Sequence, residues 1–337
     1  MKKDVHGSTI ADEFVAIMKL ENKKSRIISI APLLVLLSLV ILLAVFVEGF
    51  FTIYNMDSIL SQLAIPLIIS LGLTFVIIMG SIDLSVEGAI GFAGSAVALM
   101  VLNTKTGIDI GVYAIIIVVA AGALIGLFNG IIFVKTKIPS FMVTFAVSSI
   151  MTGVAVITYK GVPATITSPL FQHIDQGSFL GIPFITWCAL VMFAISFILQ
   201  EYTAFGRHIY AIGDNESVLR NTGVNIDRVK ILVFMFAGLC FGIAGVLGAV
   251  RIGRGMVTIG RGTLFPSITA VVVGGTALSG GKGGVVNTLV GSLIVVTIQD
   301  ALILLGVNPY IQGAIQGILI IIVVSLSIAR GKKLIVK

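Results

Sequence analysis

Few residues in this chain carry chemistry, and their spacing argues against catalysis. The three histidines, His6, His173 and His208, lie far apart with no acid or nucleophile at a recognisable interval. Cys188 and Cys240 both sit inside apolar runs, which offers neither a disulfide framework nor metal-ligand spacing. A phosphate-cradling loop needs G-x-x-x-x-G-K-[ST], whose backbone N–H groups line the anion. Ser279-Gly280-Gly281-Lys282-Gly283 comes nearest, but Thr276 stands at the first glycine position and Gly283 at the hydroxyl position. The sequence therefore predicts no enzyme and no cofactor site on this chain. Any ATP-driven step needs ATP and magnesium on a separate ATPase chain.

The elements around these residues explain their scarcity. The chain has 337 residues, 57% of them hydrophobic and 11% charged, with 38 glycines. Its mean hydropathy is +1.14. That leaves too little polar surface to cover a water-soluble globule, and disorder requires the opposite composition. A bilayer core of about 30 Å needs about 20 apolar residues in a helix. On that ruler the spans fall near 27–47, 60–80, 84–102, 111–134, 139–159, 182–200, 231–250, 266–280, 284–305 and 309–328. The expected fold is an all-α, polytopic helical bundle of about ten spans. Its parts are a cytoplasmic segment 1–26, a transmembrane domain 27–330 and a tail 331–337. Residues 10–20 read either as an amphipathic surface helix or as a solvated lead-in, and no cleaved signal is expected.

Lys and Arg positions set the orientation. With the N-terminus inside, 17 of the 22 basic residues fall on the cytoplasmic side, leaving Lys105, Lys160, Arg251, Arg254 and Arg261 outside. Both termini are then cytoplasmic. The net charge of +7 reports this topology and contact with anionic lipid, with no nucleic-acid pattern present.

Ionisable groups in spans are functional candidates by default. Asp83, Glu87 and Lys282 are expected near the cytoplasmic face. Asp83 reads either as a cap on the third span, where a carboxylate suits the positive helix end, or as part of a gate. Asp300, beside Gln299, either borders an outer vestibule or is held in a buried hydrogen bond. The remaining deep polar groups are mostly neutral, including Asn129, Asn287, and Gln312 and Gln316 on one helix face. Candidate path or gate residues are thus Asp83, Ser85, Asn129, Asn287, Gln299, Asp300, Gln312 and Gln316. Such a path suits an uncharged polar solute, and no deep Arg or Lys is expected to receive a carboxylate.

Gly122, Gly126 and Gly130 recur every fourth residue, and Gly238, Gly242, Gly245 and Gly248 form a second stripe suited to close helix packing. Gly80-Ser81-Ile82-Asp83-Leu84-Ser85 echoes Gly274-Gly275-Thr276-Ala277-Leu278-Ser279 at an offset of 194 residues. Residues 201–230 form the long cytoplasmic segment. Gly206 and Gly213 bracket an expected turn, Asp214 or Asn215 caps a short helix, and Gly223 ends it.

Together these segments resemble the permease subunits of ribose/galactose/xylose-class bacterial ABC importers. The likeness rests on Gly80 to Val86, on Asn129-Gly130 followed by Lys137-Ile138-Pro139-Ser140-Phe141, on 205–224, and on Val273-Gly274-Gly275 with Ser279-Gly280-Gly281 and Gly284. It implies a cytoplasmic-membrane permease with a second permease subunit, cytoplasmic ABC ATPase subunits and an extracytoplasmic solute-binding protein. It also implies that Phe205, Gly206, Arg207, Tyr210, Ala211, Gly213, Asn215 and Gly223 belong to the loop that docks the ATPase. Three departures stand out: Leu264 and Pro266 replace an E-x-D pair, Ser217-Val218-Leu219 replaces an E-A-A-like triplet, and Glu87 replaces a glycine. The last is similar to nucleoside-type permeases. Arg251, Arg254 and Arg261 are expected to form a basic outer loop that either docks the binding protein or contacts lipid and nearby acids. The expected function is transport of a monosaccharide-like solute. The rival expectations are a nucleoside or branched-chain amino acid permease, and an ATP-independent facilitator.

Overall fold

The computed structural model describes residues 30–331, so the expected helix near 10–20 and the tail from 332 lie outside the described residues. Twelve helices follow in order: α1 (Ile30–Phe46), α2 (Ile53–Ile78), α3 (Val86–Met100), α4 (Tyr113–Thr136), α5 (Ser140–Tyr159), α6 (Pro169–Gln176), α7 (Phe184–Tyr202), α8 (Ala204–Arg220), α9 (Ile226–Ile252), α10 (Leu264–Val273), α11 (Val285–Leu304) and α12 (Pro309–Gly331). Six of them, α2, α4, α5, α7, α9 and α11, are long and apolar enough to cross a membrane. Local chemistry marks their ends. Thr52 accepts the N–H of Asn55 at the start of α2, and Asn225 accepts that of Arg228 at the start of α9. Lys137 takes a left-handed conformation to end α4, and Pro139 admits α5.

The glycine stripes meet as packing surfaces. A Cβ on Gly122 would lie 2.6 Å from the Gly238 carbonyl, and one on Gly126 would collide with the Phe234 carbonyl. This backbone approach seats α4 on α9. The second stripe then changes partner. Gly245 faces Ala93 and Ile90 of α3, while Gly248 faces Ile259. The i+3 steps after Gly242 rotate the small face away from α4 toward these elements.

α2 and α11 fix the two ends of the bundle. Their Thr74 and Thr288 hydroxyls meet at 2.6 Å toward one end, and Asn55 donates to Asp300 at 2.8 Å toward the other. α8 lies at the first end, with Gly213 against the Ile78 carbonyl. The concentration of Lys and Arg there makes that end cytoplasmic. At the opposite end two-residue strands tie the loops together: β1 (Ala164–Thr165) pairs antiparallel with β4 (Arg254–Gly255), Ala164 opposite Gly255. A second pair joins β2 (Ser178–Phe179) to β3 (Ile182–Pro183).

Two segments cross as broken structures. From Ser81 to Ser85 the chain climbs beside α5 as irregular structure between the end of α2 and the start of α3. From Arg254 to Thr263 it descends beside α3, through a short 3-10 turn at Val257–Gly260, into α10. α10 has ten residues, about 15 Å, half of a bilayer core. The expected span at 266–280 is therefore a half-helix, because the chain spends Gly255 to Gly262 packing on α3 glycines and stops at Gly274-Gly275. Counted as one crossing, 254–273 joins the six long spans and the shorter apolar helices α1, α3 and α12 to give ten candidate crossings among the described residues.

Candidate functional site

The climbing segment is held by hydroxyls. Ser140, Thr144 and Ser148, spaced four apart on α5, accept the N–H groups of Ile82, Leu84 and Gly88 at 3.1, 2.8 and 3.2 Å. Eight helical residues separate Ser140 from Ser148, a rise of about 12 Å. Glu87, beside Gly88, therefore lies near the middle of the membrane rather than near its cytoplasmic face. The recurrence of a hydroxyl at Ser140, Thr144 and Ser148, every fourth residue, is the sequence signal that could have found this ladder.

Asp83, Ser85 and Asn129 come together. Asp83 Oδ1 accepts from Ser85 N–H at 2.7 Å and from its hydroxyl at 2.6 Å, and Asn129 Nδ2 donates to the same hydroxyl at 3.0 Å. All three side chains are buried, and Asp83 Oδ2 and Asn129 Oδ1 have no partner among the described residues. Asp83 thus holds Ser85, the N-cap residue of α3, and its carboxylate bonds no N–H within the helix itself. Asp300 is a different case. Asn55 Nδ2 and Gln62 Nε2 hold its two oxygens at 2.8 and 3.0 Å, which locks α11 to α2 at the outer end. Asn287 lies half-buried against Gly275, Gln299 is half-buried beside Asp300, and Gln312 donates to the Val307 carbonyl, with Gln316 one turn on. Of the eight candidates, Asp83, Ser85 and Asn129 come together, and the others lie elsewhere in the bundle.

The cytoplasmic residues form one surface. α8 runs from Ala204 without a turn at Gly206 or Gly213. Both glycines instead allow contact, Gly206 with the Gln200 backbone and Gly213 with the Ile78 carbonyl and Gly281 N–H. The helix kinks at Asn215, whose φ of −158° is non-helical, and Asn215 Oδ1 accepts from Val218 N–H at 3.3 Å to start the second piece. Gly223, at φ +80°, follows its end. Phe205 stacks on Phe75 at 6.1 Å, and Tyr210 donates its hydroxyl to the Gly283 carbonyl at 2.7 Å. Burial, and then the negative charge of Glu201, push the Tyr210 phenol up to about 12. Gln200 accepts the Val285 N–H at 2.7 Å, a link that a lone glutamine gave no periodic hint of. Arg207 and Val218 stay exposed, and Ala211 is half-buried. Gly281 N–H donates to the Ile78 carbonyl at 2.8 Å, and Gly280 packs on Gly80. The two echoing segments therefore touch each other, with α8 beneath them.

The basic outer residues divide. Arg251 donates to the Ser61 carbonyl at 2.8 Å, and with Arg254, Asp175 and Gln172 it lines an outer cavity of about 440 Å³. Burial raises the Asp175 carboxyl, against the opposing charge of Arg251. Arg261 is elsewhere. Gly260 packs on the Glu87 backbone, and Gly262 donates its N–H to Glu87 Oε1 at 2.9 Å. Arg261 thus lies at the Glu87 level, because the chain has descended alongside α3 by then. A deep arginine is present after all. The larger cavity, about 630 Å³, is apolar, lined by Ile115, Val119, Trp187, Val246 and their neighbours, and offers nothing to a hydroxylated solute.

A bundle of apolar helices with two broken segments above a surface helix is the architecture of a multi-pass membrane protein. The comparisons sharpen that class. Residues 55–324 match the family described as branched-chain amino acid transport system / permease component. The ribose import permease protein RbsC of Bacillus subtilis is 38% identical over 299 residues, covering 88% of this chain and 92% of that one. RbsC of Escherichia coli K12 is 35% identical over 301 residues, covering 88% and 91%. The galactose/methyl galactoside import permease protein MglC of the same organism is 32% identical over 332 residues, covering 92% and 99%. No solved structure matches the chain. The chain belongs to this permease family, and it is a multi-pass, bacterial cytoplasmic-membrane subunit of an ABC importer. Importers of this kind work with an ATPase and a solute-binding protein.

Proposed function

We propose that this permease passes a monosaccharide across the membrane, in a pair with a second permease subunit. ATP and magnesium act on ATPase chains that dock on the exposed α8 face around Arg207 and Val218. The observation that carries the reading is the seat of α8. Gly213 and Tyr210 tie it to Ile78 and Gly283, at the ends of the two segments that lead into α3 and α11, and Gln200 at the foot of α7 holds Val285 beside them. Through Tyr210 on Gly283 and Gly213 against Gly281, a push on α8 reaches the 274–284 segment, and packed elements with alternative arrangements can rock as rigid bodies. The sugar reading is supported by the relatives, whose names give ribose and galactose or methyl galactoside as what they import. Arg251 and Arg254, on the outer face, suit the rim of a binding protein with acidic residues.

The test is purification from native membranes with identification of copurifying chains, for the parent and for Arg207→Glu and Gly213→Pro. An ATPase chain recovered with the parent and lost from the variants is the expected result. A permease recovered alone, and moving D-ribose in liposomes without ATP, overturns it in favour of a facilitator.

A further inference from the structure

Glu87 and Arg261 stand apart from the coupling surface and from the outer rim. Both lie near the level of Ser148, the ninth of the 20 residues of α5, so about 12 Å of helix separates them from the cytoplasmic end of α5. Arg261 and its neighbours Thr258 and Gly262 are exposed on the flank of the protomer, and Glu87 is half-buried beneath them. Lys and Arg near helix ends reach the interface by snorkelling, but from mid-bilayer neither interface is within reach of this side chain. A charge at that depth facing hydrocarbon is costly, and such groups face water-filled cavities or other protein instead. The flank is therefore not a lipid face. The chemistry is also balanced. One carboxylate and one guanidinium sum to no net charge, and Gly262 engages only Oε1 of Glu87 among the described residues. The carboxylate accepts and the guanidinium donates, in charge-assisted bonds that match neighbouring hydroxyls on one solute.

We propose that Glu87 and Arg261 line the aqueous solute path at mid-membrane and hydrogen-bond an uncharged, polyhydroxylated solute there, an inference that rests on the transport function above. Glu87 also fixes the descending segment through Gly262, so the same side chain shapes the path and lines it.

The experiment is cysteine accessibility in closed membrane vesicles of both orientations, in the otherwise complete importer carrying Cys188→Ser and Cys240→Ala. Glu87→Cys, Arg261→Cys and Thr258→Cys are treated with a membrane-impermeant, positively charged thiosulfonate, and Leu124→Cys on the exposed face of α4 is the lipid-facing control. Labelling at least about 100-fold faster than the control, from one side or the other, is expected, since thiolates form only where water reaches. D-ribose, L-arabinose or D-galactose should slow it by about fivefold or more. Labelling at the control rate from both sides, at Thr258→Cys as well, overturns the proposal even if one variant folds poorly. Protection by L-leucine, or by none of the three sugars, overturns the solute class. Labelling requires neither ATPase nor binding protein. Intact labelling with no ATP-dependent uptake therefore sinks the transport reading alone, and intact uptake with control-rate labelling sinks the path assignment alone.

Discussion

Segments 80–85 and 274–284, the second echoing the first over 274–279, touch in space, yet they are held by opposite means. The first is fastened from within the membrane. Its N–H groups run up the α5 hydroxyls, and Asp83 and Ser85 close the turn into α3. The second is fastened from the cytoplasm. Tyr210 of α8 holds Gly283, Gly281 is wedged between Ile78 and Asp214, and Gln200 at the cytoplasmic end of α7 holds Val285. The difference separates a fixed wall from a driven part. A segment pinned to a membrane helix keeps its place, whereas one pinned to a surface helix goes where that helix is pushed.

Replacing Gly213 strikes the driven side hardest. A Cβ there collides with the Ile78 carbonyl and crowds Gly281 N–H, both backbone, so neither can step aside. Gly213→Ala is expected to destabilise the purified permease by about 2–3 kcal/mol, as overpacking does. ATP-coupled uptake should fall further than the melting temperature alone accounts for. Gly223→Ala, at φ +80° with open space around it, is expected to cost about 1 kcal/mol of backbone strain and little uptake. Equal uptake in the two variants would break the comparison.

The fixed side is next. Thr144→Val keeps the shape of a buried side chain but leaves the Leu84 N–H without an acceptor, at a cost of about 2 kcal/mol. Thr144→Ser should recover most of it, and thermal melts of the three proteins decide the point. Tyr210→Phe removes one bond to Gly283, about 1 kcal/mol in stability. If the second segment is the driven one, that variant loses more ATP-coupled uptake than Thr144→Ser does. Asp83→Asn sharpens the contrast from below. An amide oxygen can accept both Ser85 bonds, and the change removes a buried carboxylate whose Oδ2 has no partner among the described residues, so stability should shift by less than about 1 kcal/mol. Asp83→Ala, which abolishes both bonds, should cost about 2 kcal/mol.

Hydropathy alone placed nearly every crossing within a few residues, because a membrane span is a one-dimensional signal. The α8 motif was equally readable in outline, since Asn215 and Gly223 are local cap chemistry. What escaped was long-range. The descent of 254–263 depends on Gly91 admitting the Val257 backbone and Gly94 the Ile259 side chain, about 165 residues away, so Arg261 looked like a companion of Arg251 when it is a mid-membrane residue. Asp300 read as a vestibule candidate or a buried group, and only the fold could show that its partners are Asn55 and Gln62, about 240 positions earlier. Gly206 and Gly213 carried the opposite error. Glycine signals a turn or a close approach equally well, and tertiary packing chooses between them.

The smallest effect concerns the second piece of α8, which tethers the driven helix to α9. Glu216 accepts from Lys230 at 2.8 Å and from Arg220 at 3.1 Å. Partial burial raises its carboxyl, but the bonds and charges of Lys230, then of Arg220, outweigh this and hold it below its ordinary value. A depressed folded-state value means that the stabilisation is present above the unfolded value, near 4.5, and is lost as pH falls through the folded one. Solvent screening keeps the effect to a fraction of a kcal/mol. Hydrogen exchange across 215–222, corrected for intrinsic rates, should therefore be level from pH 7 to about 5 and rise below about 4. Glu216→Gln should make the profile flat, with faster exchange already at pH 7. If exchange in Gly213-flanking residues rises in parallel, the tether and the driven helix open as one unit. If only 215–222 responds, the kink at Asn215 isolates them, and the push that reaches Gly281 comes from the first piece of α8 alone.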